Sequence, residues 1–409
     1  MADPPGQPHR IRNRNLMDAA TSIVSPDPAS SRLTGTLPLW DPEADDALIV
    51  REIRDETADV KTFVLAPKNP AIFRYAPGQF LTLDLDIGGE SINRCYTIAS
   101  TPARPHTLAI TVKRVPGGPV SNFLHDQVKV GSVLHAIGPM GDFSCFMQGT
   151  PSPNPASAPK YLFLSGGSGI TPLMSMARTF HDLGEPRDIV FVHAARAPAD
   201  IIFRGELELM ARNQPASFRF APICEADSPR EPWHGLRGRL NLGVLNHIAP
   251  DFKQREVFVC GPAPFMAAVR EMLKGAGFDM SRHHEESFDF AELARAEPEV
   301  AAEVELAEGV QAVQEALAAP EVATYTIEFA KQKRTIECRS DTFVLDAARR
   351  AGVRLPSSCS KGLCGTCKSK LIEGTVDMKH GGGIRQREID AGMALLCCSK
   401  PTSNLVVDR

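Results

Sequence analysis

Apolar and polar positions follow three different rhythms along this chain. From Ala47 to about Phe146, short alternating runs are broken by Pro and Gly, which predicts an antiparallel β-barrel. Within it, Tyr75-Ala76-Pro77-Gly78 turns into a strand, Gly88-Gly89 makes a hairpin, and Arg94 to Ser100 is the return strand. After a Pro- and Ser-rich stretch from Thr150 to Pro159, the strands become continuously apolar: Tyr161 to Leu164, Asp188 to His193 and Glu256 to Pro262. Helices expected over Leu173 to Phe180 and Phe265 to Leu273 alternate with them, the pattern of a parallel, doubly wound α/β sheet. The last rhythm is a hairpin, Thr324 to Phe329 and Arg334 to Cys338, followed by a short helix, Phe343 to Ala351, that Gly352 ends.

These rhythms divide the chain into a disordered N-terminal tail (1–46), a barrel (47–149), an α/β domain (150–288), a linker (289–320) and a C-terminal domain (321–409). The first 36 residues are rich in Pro, Ser, Arg and Asp and lack the apolar region of a secretory signal. The linker carries eight acidic residues against Arg295 alone, and a helix interrupted near Gly309 is expected over Glu299 to Ala318.

Composition narrows the function classes. The 409 residues are 43% hydrophobic and 23% charged, as in ordinary globular domains, and the net charge of −4 gives no reason to expect nucleic acid binding. No apolar run approaches the ~20 residues needed to span a bilayer, so a soluble, cytoplasmic protein is expected. Ten scattered cysteines fit a reducing compartment rather than a disulfide framework. The linker's acidity contrasts with residues 321–409, where 15 Lys and Arg face 10 Asp and Glu.

Candidate chemistry lies at the ends of the elements. Cys359, Cys364 and Cys367, with Cys397 far downstream, have the Cys-x4-Cys-x2-Cys spacing of a plant-type [2Fe–2S] site; a structural zinc cage is the alternative, although zinc sites usually pair two short knuckles. In the barrel, Arg94 and Tyr96 share one strand face, a cation for a phosphate and an aromatic ring for a flavin. Gly117-Gly118-Pro119-Val120-Ser121 opens a helix with Ser121 near its cap, a ready pyrophosphate site at Gly118 and Ser121. In the α/β region, Ser165-Gly166-Gly167-Ser168-Gly169-Ile170-Thr171-Pro172 leaves a strand for a helix, where Gly166, Gly167 and Gly169 let amides approach a dinucleotide.

In this order the segments resemble the ferredoxin–NADP⁺ reductase superfamily with a fused C-terminal plant-type ferredoxin. The resemblance implies a β-grasp fold for the C-terminal domain and Cys397, rather than the adjacent Cys398, as fourth cluster ligand. It implies that Arg94, Tyr96 and Thr97 hold the flavin, with Thr97 where the family usually has Ser. Gly166 to Pro172, including Thr171 and Pro172, and the Cys260-Gly261-Pro262 turn take the nucleotide, with Cys260 bordering the nicotinamide. Glu286-Ser287-Phe288 resembles the segment that returns to the flavin edge, making Cys260, Thr97 and Glu286 the catalytic candidates and Phe288 a cofactor contact. Arg196 stands where a 2′-phosphate could be read, with contact to an adenosine phosphate or to solvent as the alternatives. FAD is expected over FMN and NADH over NADPH.

The implied activity is an NAD(P)H-dependent oxidoreductase in which the flavin converts a two-electron hydride into single electrons for the cluster. No general acid–base pair is required, and most of the scattered histidines are expected at the surface. The layout resembles the reductase components of Rieske-type oxygenases, glycine-betaine-demethylating ones in particular. No Rieske Cys-x-His pair or mononuclear iron triad is present, so the oxygenase component that accepts the electrons must be another polypeptide. The alternatives are an NADH oxidoreductase serving a hybrid-cluster protein and a redox-sensing binding module.

Overall fold

The computed structural model describes residues 37–42, 44–147, 159–287, 323–353, 355, 362 and 365–409. The tail to residue 36, the acidic linker, Phe288, Cys359 and Cys364 lie outside them.

Six antiparallel strands form the barrel: β1 (Ala47–Thr57), β2 (Val60–Pro67), β3 (Phe80–Ile87), β4 (Glu90–Thr97), β5 (Leu108–Lys113) and β6 (Val133–Met140). They run in the order β4-β3-β6-β1-β2-β5, and the Ile98–Ile110 bridge joins the two ends. Alternation decides the interior: Leu48, Val50, Phe63, Leu65, Leu81 and Leu83 all point inward and are fully buried. Each contributes about 1.5–3 kcal/mol relative to an exposed position. Helix α1 (Pro119–Asp126) plugs one end with Val120 and Leu124. The expected tail is too long by several residues. Leu39 bridges Ile72, the Trp40 N–H donates to the Ile72 carbonyl, and its ring meets Phe73 edge-on at 5.3 Å, so the chain joins the barrel well before residue 46.

The second sheet is parallel: β7 (Tyr161–Gly166), β8 (Ile189–Ala195), β9 (Phe218–Cys224), β10 (Leu236–Arg237), β11 (Glu256–Gly261) and β12 (His283–Ser287), ordered β10-β9-β8-β7-β11-β12. The strand order reverses between β7 and β11, the place where open α/β sheets bind ligands. The helices are α2 (Ile170–Asp182), α3 (Arg204–Asn213), α4 (Leu242–Ile248) and α5 (Ala263–Gly275). The glycine turn differs from expectation. Only Gly167–Gly169 forms a short 3-10 turn, while Thr171 and Pro172 lie inside the first turn of α2, where a missing N–H costs nothing.

The third body is the expected β-grasp. Hairpin β13 (Thr324–Phe329) and β14 (Arg334–Arg339) continues through α6 (Val344–Arg350), β15 (Lys368–Glu373), β16 (Val376–Met378), α7 (Gln386–Asp390), β17 (Met393–Leu395), β18 (Ser399–Pro401) and β19 (Leu405–Val407). Its main sheet is β14-β13-β19-β15-β17, and β13 pairs in parallel with β19. No helix among the described residues is long and apolar enough to cross a membrane.

Candidate functional site

The carboxyl ends of the parallel strands carry a row of polar residues at one level. Register pairs His193 with Ser165, Ser165 with Cys260, and Cys260 with Glu286, so β8, β7, β11 and β12 each contribute one residue. His193, Ser165 and Cys260 are completely buried. The Ser165 hydroxyl donates to the Val192 carbonyl at 3.2 Å and therefore accepts from His193 Nδ1 at 2.8 Å. That fixes the imidazole tautomer and leaves His193 Nε2, buried and without a partner, as a lone acceptor. Burial drives the His193 pKa down to about 3, with Lys113 adding to the effect, so the ring is neutral. Glu286 Oε2 is also buried and unpartnered, and burial raises its pKa to about 8. Cys260 is pushed well above its ordinary value by burial and then by Glu286, which leaves an inert thiol. Orphaned acceptors and a neutral acid beside the strand-order reversal fit an uncharged amide-bearing ring better than water, since buried polar atoms otherwise find partners.

Cys260 and Glu286 were expected at this site from sequence; Ser165 and His193 were not. Most described histidines are outside the core, as expected; His193 is an exception, and so is His125, bonded to the Val112 carbonyl at 2.9 Å. Only inter-strand register makes the row, and register is not visible in a single sequence. The glycine turn beside it is tightly built. A Cβ on Gly169 would meet the Cys260 carbonyl at 2.3 Å, so only glycine lets the turn lie on the end of β11 and aim its amides outward. A Cβ on Gly261 would meet the Gly166 nitrogen at 3.1 Å, and Pro262 serves as the N-cap of α5.

On the barrel, cross-strand pairing separates the two faces of β4. Arg94 pairs with Leu83 and Tyr96 with Leu81, placing both on the barrel-interior side. Arg94 is exposed, while Tyr96 packs partly on the core and burial raises its phenol. Thr97 is buried opposite Phe80. Gly118 is the N-cap of α1 and makes no side-chain cap hydrogen bond, so the first-turn amides remain available to an anion. Ser121 sits in that first turn instead of at the cap. Its hydroxyl accepts from the Val115 N–H at 3.1 Å and donates to the Gly118 carbonyl at 3.3 Å, closing the glycine turn. Arg196 is largely exposed and lies 4.0 Å from Asp59 of the barrel, an acid also held by Lys113 at 2.9 Å.

The opposite face of β4 meets the β-grasp body. Asn93, beside Arg94, lies against Gly365, whose added Cβ would fall 2.9 Å from its amide. With its nitrogen donating to Asp84 Oδ1 at 3.0 Å, its oxygen accepts from Lys368 Nζ at 3.3 Å. Lys368 follows Cys367 directly, is only 6% exposed, and sits 2.6 Å from Glu388 and 3.6 Å from Asp84. Arg385, 3% exposed, forms an ion pair with Asp46, which also takes Arg387 at 2.6 Å and His135 Nδ1 at 2.9 Å. Burial opposes the charge on Asp46, but the His135 hydrogen bond, Arg385 and Arg387 outweigh it and hold the carboxyl below its ordinary value.

Of the four expected cluster ligands, Cys367 and Cys397 are described, and both are buried. The β15–β17 register Lys368↔Leu395 brings them together, and the Leu396 N–H points to the Cys367 carbonyl at 3.5 Å. Two buried thiols at adjoining strand ends fit a soft iron–sulfur group. The Cys398 thiol faces the Leu395 carbonyl at 3.6 Å.

A barrel, a parallel sheet with its polar row facing the strand ends, and a β-grasp body with paired cysteines define a flavin- and nucleotide-dependent oxidoreductase joined to an iron–sulfur module. Known families match in the same order: an oxidoreductase FAD-binding domain over residues 47–145, an oxidoreductase NAD-binding domain over 163–271 and a 2Fe-2S iron-sulfur cluster binding domain over 327–402. The chain is 45% identical over 360 residues to a glycine betaine monooxygenase reductase subunit of Pseudomonas aeruginosa, covering 87% of this chain and 93% of that one. It is 40% identical over 353 residues to the stachydrine N-demethylase reductase subunit of Rhizobium meliloti, covering 86% and 93%. The flavohem-like FAD/NAD binding domain of nitric oxide dioxygenase from Vibrio cholerae superposes with a TM-score of 0.52 at 25% identity, over 60% of this chain and 98% of that one. The chain belongs to the family of oxygenase reductase subunits.

FAD supplies the conversion between a hydride and single electrons. The chain's own residues bind and orient around it. The neutral His193–Ser165 pair and Glu286, whose pKa burial raises, would offer a bound ring hydrogen bonds without charge.

Proposed function

We propose that this chain passes electrons from NADH, through FAD and a [2Fe–2S] cluster, to a separate oxygenase that demethylates glycine betaine or a closely related quaternary amine. The observation that carries this reading is the near full-length similarity to reductase subunits of two enzymes that act on quaternary amines by name. In this reading Arg94, Gly118 and Ser121 serve the FAD phosphates, while Tyr96 and Thr97 border its ring. The turn from Gly166 through Thr171 and Pro172 takes the nucleotide pyrophosphate, and Arg196 serves its adenosine end. Cys260, Gly261, Pro262 and Glu286 frame the nicotinamide, with Phe288 closing over the flavin. The cluster is held by Cys359, Cys364, Cys367 and Cys397; Cys398 is assigned a structural role because its thiol is turned to the Leu395 carbonyl. A reducing cytoplasm suits ten cysteines.

Deleting the gene and growing the strain on glycine betaine as sole carbon source tests this reading. Growth is expected to fail on glycine betaine while persisting on its singly demethylated product, dimethylglycine. Normal growth on both, with new sensitivity to nitrosative stress, would transfer the chain to the hybrid-cluster alternative.

A further inference from the structure

The inner flank of the cluster loop is closed by the barrel, through Asn93 on Gly365 and the ion pairs of Lys368 and Arg385. An external acceptor must reach the cluster from elsewhere. A second flank is built from the β16–β18 ribbon, in which Met378 pairs with Ser399. Lys379 therefore stands opposite Cys398, one residue from Cys397, and its N–H donates to the Cys398 carbonyl at 3.1 Å. His380 follows, with its Cα against Gly362 of the cluster loop. Lys400, three residues past Cys397, holds its ammonium 5.2 Å above the Phe343 ring. Phe343 is 36% exposed, and the next turn of chain is tied to the residue before Cys397 through Leu345 N–H and the Leu396 carbonyl. Lys379 and His380 are exposed, and Lys379 and Lys400 form no ion pair among the described residues. The one nearby carboxylate in the ribbon, Asp377, is exposed opposite Lys400.

The two flanks thus use cations differently. Lys368 and Arg385 are buried and paired inside the molecule, whereas Lys379 and Lys400 have no ion pair among the described residues, Lys400 standing over the Phe343 ring and Lys379 opposite Cys398. Unpaired charge around an exposed aromatic anchor is how association surfaces attract and orient a complementary partner.

We propose that electrons leave the chain across this rim, and that the acidic docking face of a separate electron-accepting protein seats on Phe343, Lys379, His380 and Lys400. The proposal rests on the reading of the chain as an oxygenase reductase. One electron passes from the reduced cluster to the docked acceptor, NADH being the reductant that replenishes it.

The test uses the full-length holoenzyme and two protein acceptors of opposite charge at the haem edge: cytochrome b5, which is acidic there, and cytochrome c, which is basic. In Lys379→Glu/Lys400→Glu, kcat/KM for cytochrome b5 should fall about tenfold at low ionic strength and that for cytochrome c should rise. Both differences should collapse at about 0.5 M salt, where charges are screened within a few ångströms. NADH–ferricyanide activity and the visible spectrum of the cluster should not change, and Lys379→Gln/Lys400→Gln should fall between wild type and the reversal. Equal effects on the two cytochromes, or none, would overturn the docking face. Wild-type protein that reduces ferricyanide but neither cytochrome would instead overturn the reductase reading itself.

Discussion

The barrel has two neighbours and is joined to them by opposite means. Against the parallel sheet the joint is apolar: Val60, Ala99, Phe143 and Cys145 of the barrel region share one core with Ile170, Met176 and Phe180 of the nucleotide region. Polar contacts stand only at its edge: Arg178 donates to the Ala99 carbonyl and Ser175 to the Ser100 carbonyl, each at 2.6 Å, and Arg104 and Arg196 pair with Asp182 and Asp59 at 2.8 and 4.0 Å. Against the β-grasp body no core is shared among the described residues: its apolar cluster runs from Ile327 to Val407 and contains no barrel residue. Charge holds that joint, through Asp46, Asp84, Lys368, Arg385 and Arg387. An apolar joint makes one cooperative body of two modules. A charged joint fixes a docking geometry between bodies that remain separately folded, because each charge can return to water when the contact opens.

The largest expected effect lies in the apolar joint. Gly78 has φ +101, and an added Cβ would fall 2.0 Å from the Phe143 carbonyl and 2.9 Å from Met176. Gly78→Val should cost about 3 kcal/mol or more and lower the melting of barrel and nucleotide region together by calorimetry. A lowered transition in only one of them would break the claim of a shared core. Next is Arg385→Ala, which removes the buried cation from Asp46, leaves Arg387 and His135 on that carboxylate, and should weaken the charged joint by about 1.5 kcal/mol. Hydrogen exchange should rise over residues 365–388 and cluster reduction should slow in stopped flow, with NADH reduction of the flavin unchanged.

The two regions should also respond to pH with opposite sign. Glu286 is raised from 4.5 to about 8, so folding takes up a proton between those values, and stability falls as pH rises from about 4.5 to 8. Glu286→Gln should abolish that slope in melting curves. Asp46 is lowered from 3.8, so its contribution is complete above that value and is lost only as pH falls through the still lower folded pKa. The charged joint should therefore survive mild acid. The smallest effect belongs to Arg387→Ala. This side chain is 48% exposed, and its loss should cost roughly 0.5 kcal/mol, a difference that salt removes.

Legibility in the sequence followed the same division. The barrel, the strands leading to the glycine turn and to Cys260, and the β-grasp hairpin were readable because alternation or a continuous apolar run is enough to define them. Strand β12 was not recognised as one: His283-His284-Glu285-Glu286-Ser287 has no apolar pattern, and five register pairs with β11 make it a strand. The polar row could not be read either, because Ser165 and His193 are 28 residues apart and meet only through parallel pairing. Nor could the charged joint. A buried Lys368 and Arg385 look like surface residues in a sequence, and Asp46 fell within the expected tail.

Asp46 and Arg385 are separated by 339 residues, whereas the contacts of Arg178 and Ser175 with the barrel span 79 and 75. During synthesis the apolar joint can close almost as soon as α2 emerges, but Asp46 and Asp84 wait for roughly tens of seconds before their cations are made. Two carboxylates can wait in water without harm, where an exposed apolar face of the same size would invite aggregation. The chemical character of each joint matches the time at which the ribosome delivers its second half.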